Sequence, residues 1–381
     1  MNRQGSSSIP CIAALMVILL PGNGLAQRDR PGAGPAYVLV PVSAKKIKAE
    51  MSYEYKAPRV QADEWTVYVA QLPELPGQVD VRTTLFPQGT PARDLSDEGR
   101  PMLFVRVPSQ GEIWSKNIAV RVKYEATLIG RKLEPREPGS PAGPPVPPLE
   151  SITRRLELSG GHQFDYQAEP FRAWLKENDL RRQPRESEVD FARKVYLAVR
   201  KKLKHFEGAN AEHLASRVCV AGRSDFAGLT AAYVAALRAN GIPTRILAGR
   251  VVIREGKPIK ESWLHAKVEF YAQGIGWVPV DMAGALRSGK PVDGLEFFGV
   301  DSAEFLTTHT DTDIIINTYF GRKTIEWLPD ATPWVIGSGT LDNSQIKCGL
   351  ITEVEPLDLA EFLASRAPRP APKKQAARKA R

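Results

Sequence analysis

Seven prolines fall between Glu134 and Pro148, at positions 135, 138, 141, 144, 145, 147 and 148. Proline fixes φ and has no N–H to give, so neither a helix nor a central sheet strand continues through such a stretch. The backbone is driven to extended, hydrogen-bond-poor conformations. Residues 134–150 are therefore expected to be a linker, with a domain at 27–133 before it and another at 151–345 after it. A segment 346–365 and a tail 366–381 complete the chain.

Before the linker the pattern is that of short strands. Tyr37–Pro41, Met51–Tyr55, Glu64–Val69, Val79–Thr83, Met102–Val107 and Ile118–Tyr124 alternate or carry β-branched and aromatic residues, and turn residues separate them. This predicts an antiparallel β-sandwich. After the linker the period changes. Residues 170–178 and 186–203 repeat apolar side chains at helical spacing, with Val189, Phe191, Ala192, Val195, Tyr196, Val199 and Leu203 on one stripe.

The next helix is bounded on both sides. Phe226, Leu229, Thr230, Tyr233, Val234 and Leu237 recur at steps of three and four, Ser224 or Asp225 supplies an N-cap, and Asn240-Gly241 followed by Pro243 stops it. Beyond it, Trp263–Ala272 alternates, with His265, Lys267, Glu269 and Tyr271 on one face and Leu264, Ala266, Val268 and Phe270 on the other. Gly274-Ile275-Gly276 turns the chain into Trp277–Asp281. The hairpin brings His265 and Asp281 onto neighbouring strands.

Gly222-Arg223-Ser224-Asp225-Phe226-Ala227, Asn240-Gly241-Ile242-Pro243-Thr244-Arg245, His265-Ala266-Lys267-Val268-Glu269 and Trp277-Val278-Pro279-Val280-Asp281 together resemble the core of the transglutaminase-like superfamily, in its bacterial exported type. That resemblance implies an α+β fold, a papain-like transglutaminase core preceded here by the N-terminal antiparallel β-sandwich. In the family a cysteine sits at the head of a helix, a histidine on a strand and an aspartate on the next strand. The match assigns the nucleophile position to Ser224, the base to His265 and the orienting carboxylate to Asp281.

A helix N-terminus and an imidazolium depress a thiol pKa by several units, but a helix dipole worth about 1 kcal/mol does not ionise an alcohol at neutral pH. With serine at the nucleophile position, the expectation is a pseudoenzyme that binds polypeptide or cell-envelope material in a retained cleft. The alternative is an acyl-transferase or amide hydrolase running a Ser224-His265-Asp281 triad. Serine is also a good N-cap, which would keep it at a helix head without any catalysis.

Cys219 is the alternative nucleophile, although Val218, Val220 and Ala221 around it read as a buried extended segment. Trp263, Tyr271 and Trp277 flank the site in sequence and are candidate substrate-binding residues, or else core residues of the hairpin. Arg245 and Asp225 are a candidate ion pair at its entrance. No metal or other cofactor is implied, since the histidines lack metal-ligand spacing and no acidic loop with a central glycine suggests calcium.

Residues 1–26 read as a signal peptide: Arg3, an apolar run from Cys11 to Leu20, then Gly24-Leu25-Ala26. The run is far short of the roughly 20 residues that span a bilayer, so no transmembrane segment is expected in the mature chain. A periplasmic or extracellular protein is predicted, in which Cys219 and Cys348 are either bridged or two buried thiols. The net charge of +9 is concentrated in the tail 366–381. Nucleic acid is accordingly not the expected partner. The tail is either a solvated end or a contact to an anionic surface.

Overall fold

The computed structural model describes residues 36–109, 116–137, 146–208 and 211–366, and all of them fall in one compact unit. The expected signal peptide at 1–26, linker residues 138–145 and tail residues 367–381 lie outside the described residues.

Alternation of apolar and polar residues produces the N-terminal sheets. Strand β1 (Tyr37–Lys56) turns Ile47, Ala49, Met51, Tyr53 and Tyr55 inward and Lys48, Ser52 and Glu54 outward. The runs 37–41 and 51–55 are thus one strand of 20 residues, because the lysine-rich stretch between them alternates as well. β2 (Val60–Ala70), β3 (Gln78–Phe86), β4 (Thr90–Arg93), β5 (Pro101–Pro108) and β6 (Asn117–Pro135) follow.

The helical layer comprises α1 (Ser151–Leu156), α2 (Glu169–Glu177), α3 (Glu188–Lys202), α4 (Ala215–Ala221) and α5 (Phe226–Ala239). Two residue pairs, β7 (Lys204–His205) and β8 (Arg223–Ser224), run parallel beside it. α5 is buried almost all round, from Ala227 to Arg238. It packs on an antiparallel sheet ordered β11-β10-β9-β13, built from β9 (Thr244–Arg254), β10 (Lys257–Ala272), β11 (Gly276–Val280) and, after α6 (Met282–Arg287) and β12 (Val300–Asp301), β13 (Phe305–Thr310). Ala266, Val268 and Phe270 of β10 join α5 in the core, as the alternation requires. The chain ends with the hairpin β14 (Ile314–Thr318) and β15 (Gly321–Ile325), then β16 (Thr332–Gly339), β17 (Gln345–Leu357) and α7 (Leu359–Arg366).

Residues before the linker do not close the sandwich alone. One sheet is ordered β12-β6-β1-β17 with β3 also on β6, and the other β16-β2-β5-β4. β17 pairs with β1 from Ala44 to Lys56, and β16 pairs with β2. Val252, Ile253 and Leu306 from the second half also enter the sandwich core. Across the same boundary Arg131 of β6 reaches Glu269 of β10 at 2.5 Å, and Arg245 holds the other Glu269 oxygen at 2.7 Å. The polar face of β10 is therefore buried and ion-paired, with Lys267 on Asp301 at 3.3 Å. Among the described residues no helix is long and apolar enough to cross a membrane.

Candidate functional site

His265 is buried at 4 % exposure on β10, and a single short helix holds both its nitrogens. Asp281 leaves β11 and caps α6, accepting the Gly284 N–H at 2.7 Å. The same carboxylate lies 2.9 Å from His265 Nε2 through each oxygen. Burial alone would raise the Asp281 pKa. The neighbouring His265, Lys267 and the Gly284 N–H outweigh that and hold it at about 2. At the other end of α6, Arg287 donates to His265 Nδ1 at 3.1 Å. A guanidinium only donates, so Nδ1 accepts and the ring proton sits on Nε2, facing Asp281.

The head of α5 faces this imidazole with an aromatic ring. Asp225 is the N-cap, its Oδ1 accepting from Ala227 at 3.0 Å and Gly228 at 3.2 Å. Phe226, the first helical residue, puts its ring centroid 6.3 Å from that of His265. Phe305 also meets the imidazole, edge-on at 5.9 Å. Trp327 stands edge-on to Phe226 at 6.5 Å.

Ser224 lies just before the cap and points elsewhere. It is fully buried, and its Oγ donates to the Glu212 carbonyl at 2.5 Å. Both atoms crowd the first turn of α5 at Gly228, where a Cβ would sit 2.2 Å from each. Of Ser224, His265 and Asp281, the structure thus joins the second and third. The residue at the helix head, against the imidazole, is Phe226. Helical periodicity marks Phe226 only as core, and nothing in the sequence marks Arg287 as an imidazole partner.

The other candidates have different surroundings. Cys219 is in helix α4 rather than in an extended segment, and burial followed by the nearby Asp165 pushes its thiol pKa far up. Cys219 and Cys348 are both free, and Cys348 is exposed rather than buried. Tyr271 and Trp277 pair across the hairpin with rings at 5.5 Å, at its far end from His265. Tyr271 donates to the Pro147 carbonyl at 2.6 Å, and Arg245 stacks 4.0 Å over Trp277. These two anchor the linker exit and the core. Trp263 is 41 % exposed beneath the Arg254 guanidinium. Arg245 pairs with Glu269 and Asp225 with His213, so the expected Arg245–Asp225 pair is replaced by two others. Among the described residues no group of three or more histidine, cysteine or acidic side chains is placed to hold a metal ion.

His213 forms a second cluster beside the head of α5. Its Nε2 donates to Asp225 at 2.9 Å and its Nδ1 to Glu326. These hydrogen bonds raise the His213 pKa to about 10, so it is an imidazolium bridging two carboxylates. Trp327 Nε1 donates to Glu326 at 3.0 Å, tying this cluster to the Phe226 ring.

Residues 178–282, from the residue that follows α2 to the first residue of α6, match the model of the transglutaminase-like superfamily. No curated protein matches the chain in sequence. Among solved structures, a protein from Cytophaga hutchinsonii described as a candidate cysteine protease superposes with a TM-score of 0.51 at 14 % identity, covering 84 % of this chain and 93 % of that one. The periplasmic domain of TgpA from Pseudomonas aeruginosa gives a TM-score of 0.31 at 15 % identity, over 65 % of this chain and 94 % of that one. The matched stretch, residues 178–282, has helix α5 at its centre and the His265–Asp281 pair towards its end, and it is similar to the transglutaminase-like superfamily.

Proposed function

We propose that this protein is an exported, non-catalytic member of the transglutaminase-like proteins that binds polypeptide or cell-envelope material. One observation carries the non-catalytic part: the imidazole nitrogen not held by Asp281 accepts from Arg287, and the helix head beside the ring bears Phe226. A base must have that nitrogen free within hydrogen-bond reach of a nucleophile. Phenylalanine has no atom to attack with. The triad reading would need Ser224 Oγ to leave the Glu212 carbonyl and Arg287 to leave His265 together.

The test is direct. Purified protein is offered a glutamine-containing peptide with an amine, and an activated ester, and release of ammonia or alcohol is followed. No turnover above the His265→Ala variant is expected. Turnover that disappears in both Ser224→Ala and His265→Ala overturns the proposal. Export is supported by the basic start, apolar run and small residues of positions 1–26, and mass spectrometry of protein from the producing cell checks it through a mature N-terminus at Gln27.

A further inference from the structure

A cavity of about 620 Å³ opens beside the His213 cluster, lined by His162, Gln163, His213, Asp313, Ile315 and Glu326 among others. Its polar lining is unbalanced. Gln163 is 2 % exposed, and its Nε2 donates to Glu326 Oε1. The carboxylate needs a donor, which fixes the amide orientation and leaves Gln163 Oε1 buried without a partner. Asp313 adds a carboxylate whose one oxygen, Oδ2, accepts the His162 backbone N–H at 2.9 Å and the Thr312 hydroxyl at 3.4 Å, its partners among the described residues. Both His213 nitrogens are engaged by Asp225 and Glu326, so that imidazolium offers the cavity no free N–H.

An orphaned buried acceptor is destabilising, and a ligand that donates to it recovers that cost. We infer that this cavity binds a cationic nitrogen donor, the side chain of a lysine or an arginine in a polypeptide, with Gln163 Oε1, Asp313 and Glu326 as its acceptors. The ligand's stem lies on Ile315, and the charge meets the two carboxylates. The inference rests on the reading of the protein as a binding module. It places recognition beside α5, away from the closed surroundings of His265.

Trp327 supplies the readout, because its indole N–H donates to the Glu326 oxygen that Gln163 also contacts. The full chain is titrated with Nα-acetyl-lysine N-methylamide, with the arginine analogue, and with the norleucine analogue that lacks charge. The Trp327 indole proton is followed by NMR, assigned with Trp327→Phe. A saturable shift is expected with one or both cations and none with norleucine, and the stronger of the two identifies the side chain. Binding weakens by about tenfold or more in Gln163→Leu and in Asp313→Asn, the second an isosteric change whose amide oxygen can still accept the His162 N–H while the charge is lost. Equal response to norleucine, no response to either cation at millimolar concentration, or unchanged affinity in both variants overturns the inference. Failure of the non-catalytic reading shows instead as substrate turnover, so the two outcomes are distinguishable.

Discussion

Arg287 Nη2 lies 3.1 Å from His265 Nδ1, while Asp281, six positions earlier and capping the same helix, holds Nε2 at 2.9 Å. One short helix therefore saturates an imidazole from both ends, and a charged donor sits where a nucleophile's proton would have to go.

The first prediction follows from that pairing. A thiol placed at the helix head by Phe226→Cys should have no imidazole partner, because Nδ1 stays with Arg287, and should be less acidic than the same thiol beside a freed imidazole. Adding Arg287→Ala frees the nitrogen and should lower the thiol pKa by one unit or more, with slow ester cleavage appearing. The rate of iodoacetamide alkylation against pH measures both variants. Superimposable profiles would show that Arg287 does not control the imidazole.

Ser224 should behave as a structural hydroxyl. Ser224→Ala removes its bond to the Glu212 carbonyl and should destabilise the protein by about 1 kcal/mol in urea unfolding, with no effect on acyl chemistry. Ser224→Cys should gain no activity, since its sulfur would face Glu212 and the Gly228 turn rather than His265. A Ser224→Cys variant that acylates would return the nucleophile to this position.

The His213 bridge makes stability depend on pH in a defined window. Its folded pKa is raised to about 10, so its contribution is complete below the unfolded value of about 6.5 and is lost as pH rises through 10. Asp225 and Glu326 are lowered by the same hydrogen bonds, against the opposing effect of burial, and stay ionised across that range. The side chain is 28 % exposed, which limits the effect to the order of 1–2 kcal/mol. Comparing urea midpoints of wild type and His213→Gln at pH 6, 8 and 10 checks the sign: the gap should narrow as pH rises. A gap that widens would mean that His213 is neutral in the fold.

The helix 226–239, the hairpin carrying His265 and Asp281, and all six early strand runs were legible because each rests on local periodicity and on glycine or proline stops. The helix head was less so. Serine and aspartate both make good caps, and only the three-dimensional path of Glu212 shows that Ser224 turns back while Asp225 takes the cap. Arg287 on His265, Glu326 on His213 and Arg131 on Glu269 join residues 22, 113 and 138 positions apart. Charges at such separations leave no periodic signal. Trp277 reads from the sequence as a substrate-binding or a core residue, and the stacked Arg245 that holds it in the core comes from a different strand.

Strands from before the proline-rich stretch pair with strands from after it, which predicts that the two sides fold together. β17 covers β1 over thirteen residues, β16 covers β2, and β12 covers β6, so both sandwich sheets need strands from beyond the linker. The Arg131–Glu269–Arg245 cluster adds a buried ionic link, and breaking such a link by removing one partner costs about 3–5 kcal/mol. A specific protease site inserted between Ser140 and Pro141 should therefore be cut without releasing the two pieces, which should co-elute in gel filtration and separate only in denaturant. A chain ending at Ser344 should lose the sandwich along with β17 and melt well below the full chain by circular dichroism. Two fragments that part in native buffer, each with its own cooperative transition, would show that the strand pairing across the linker contributes little to stability.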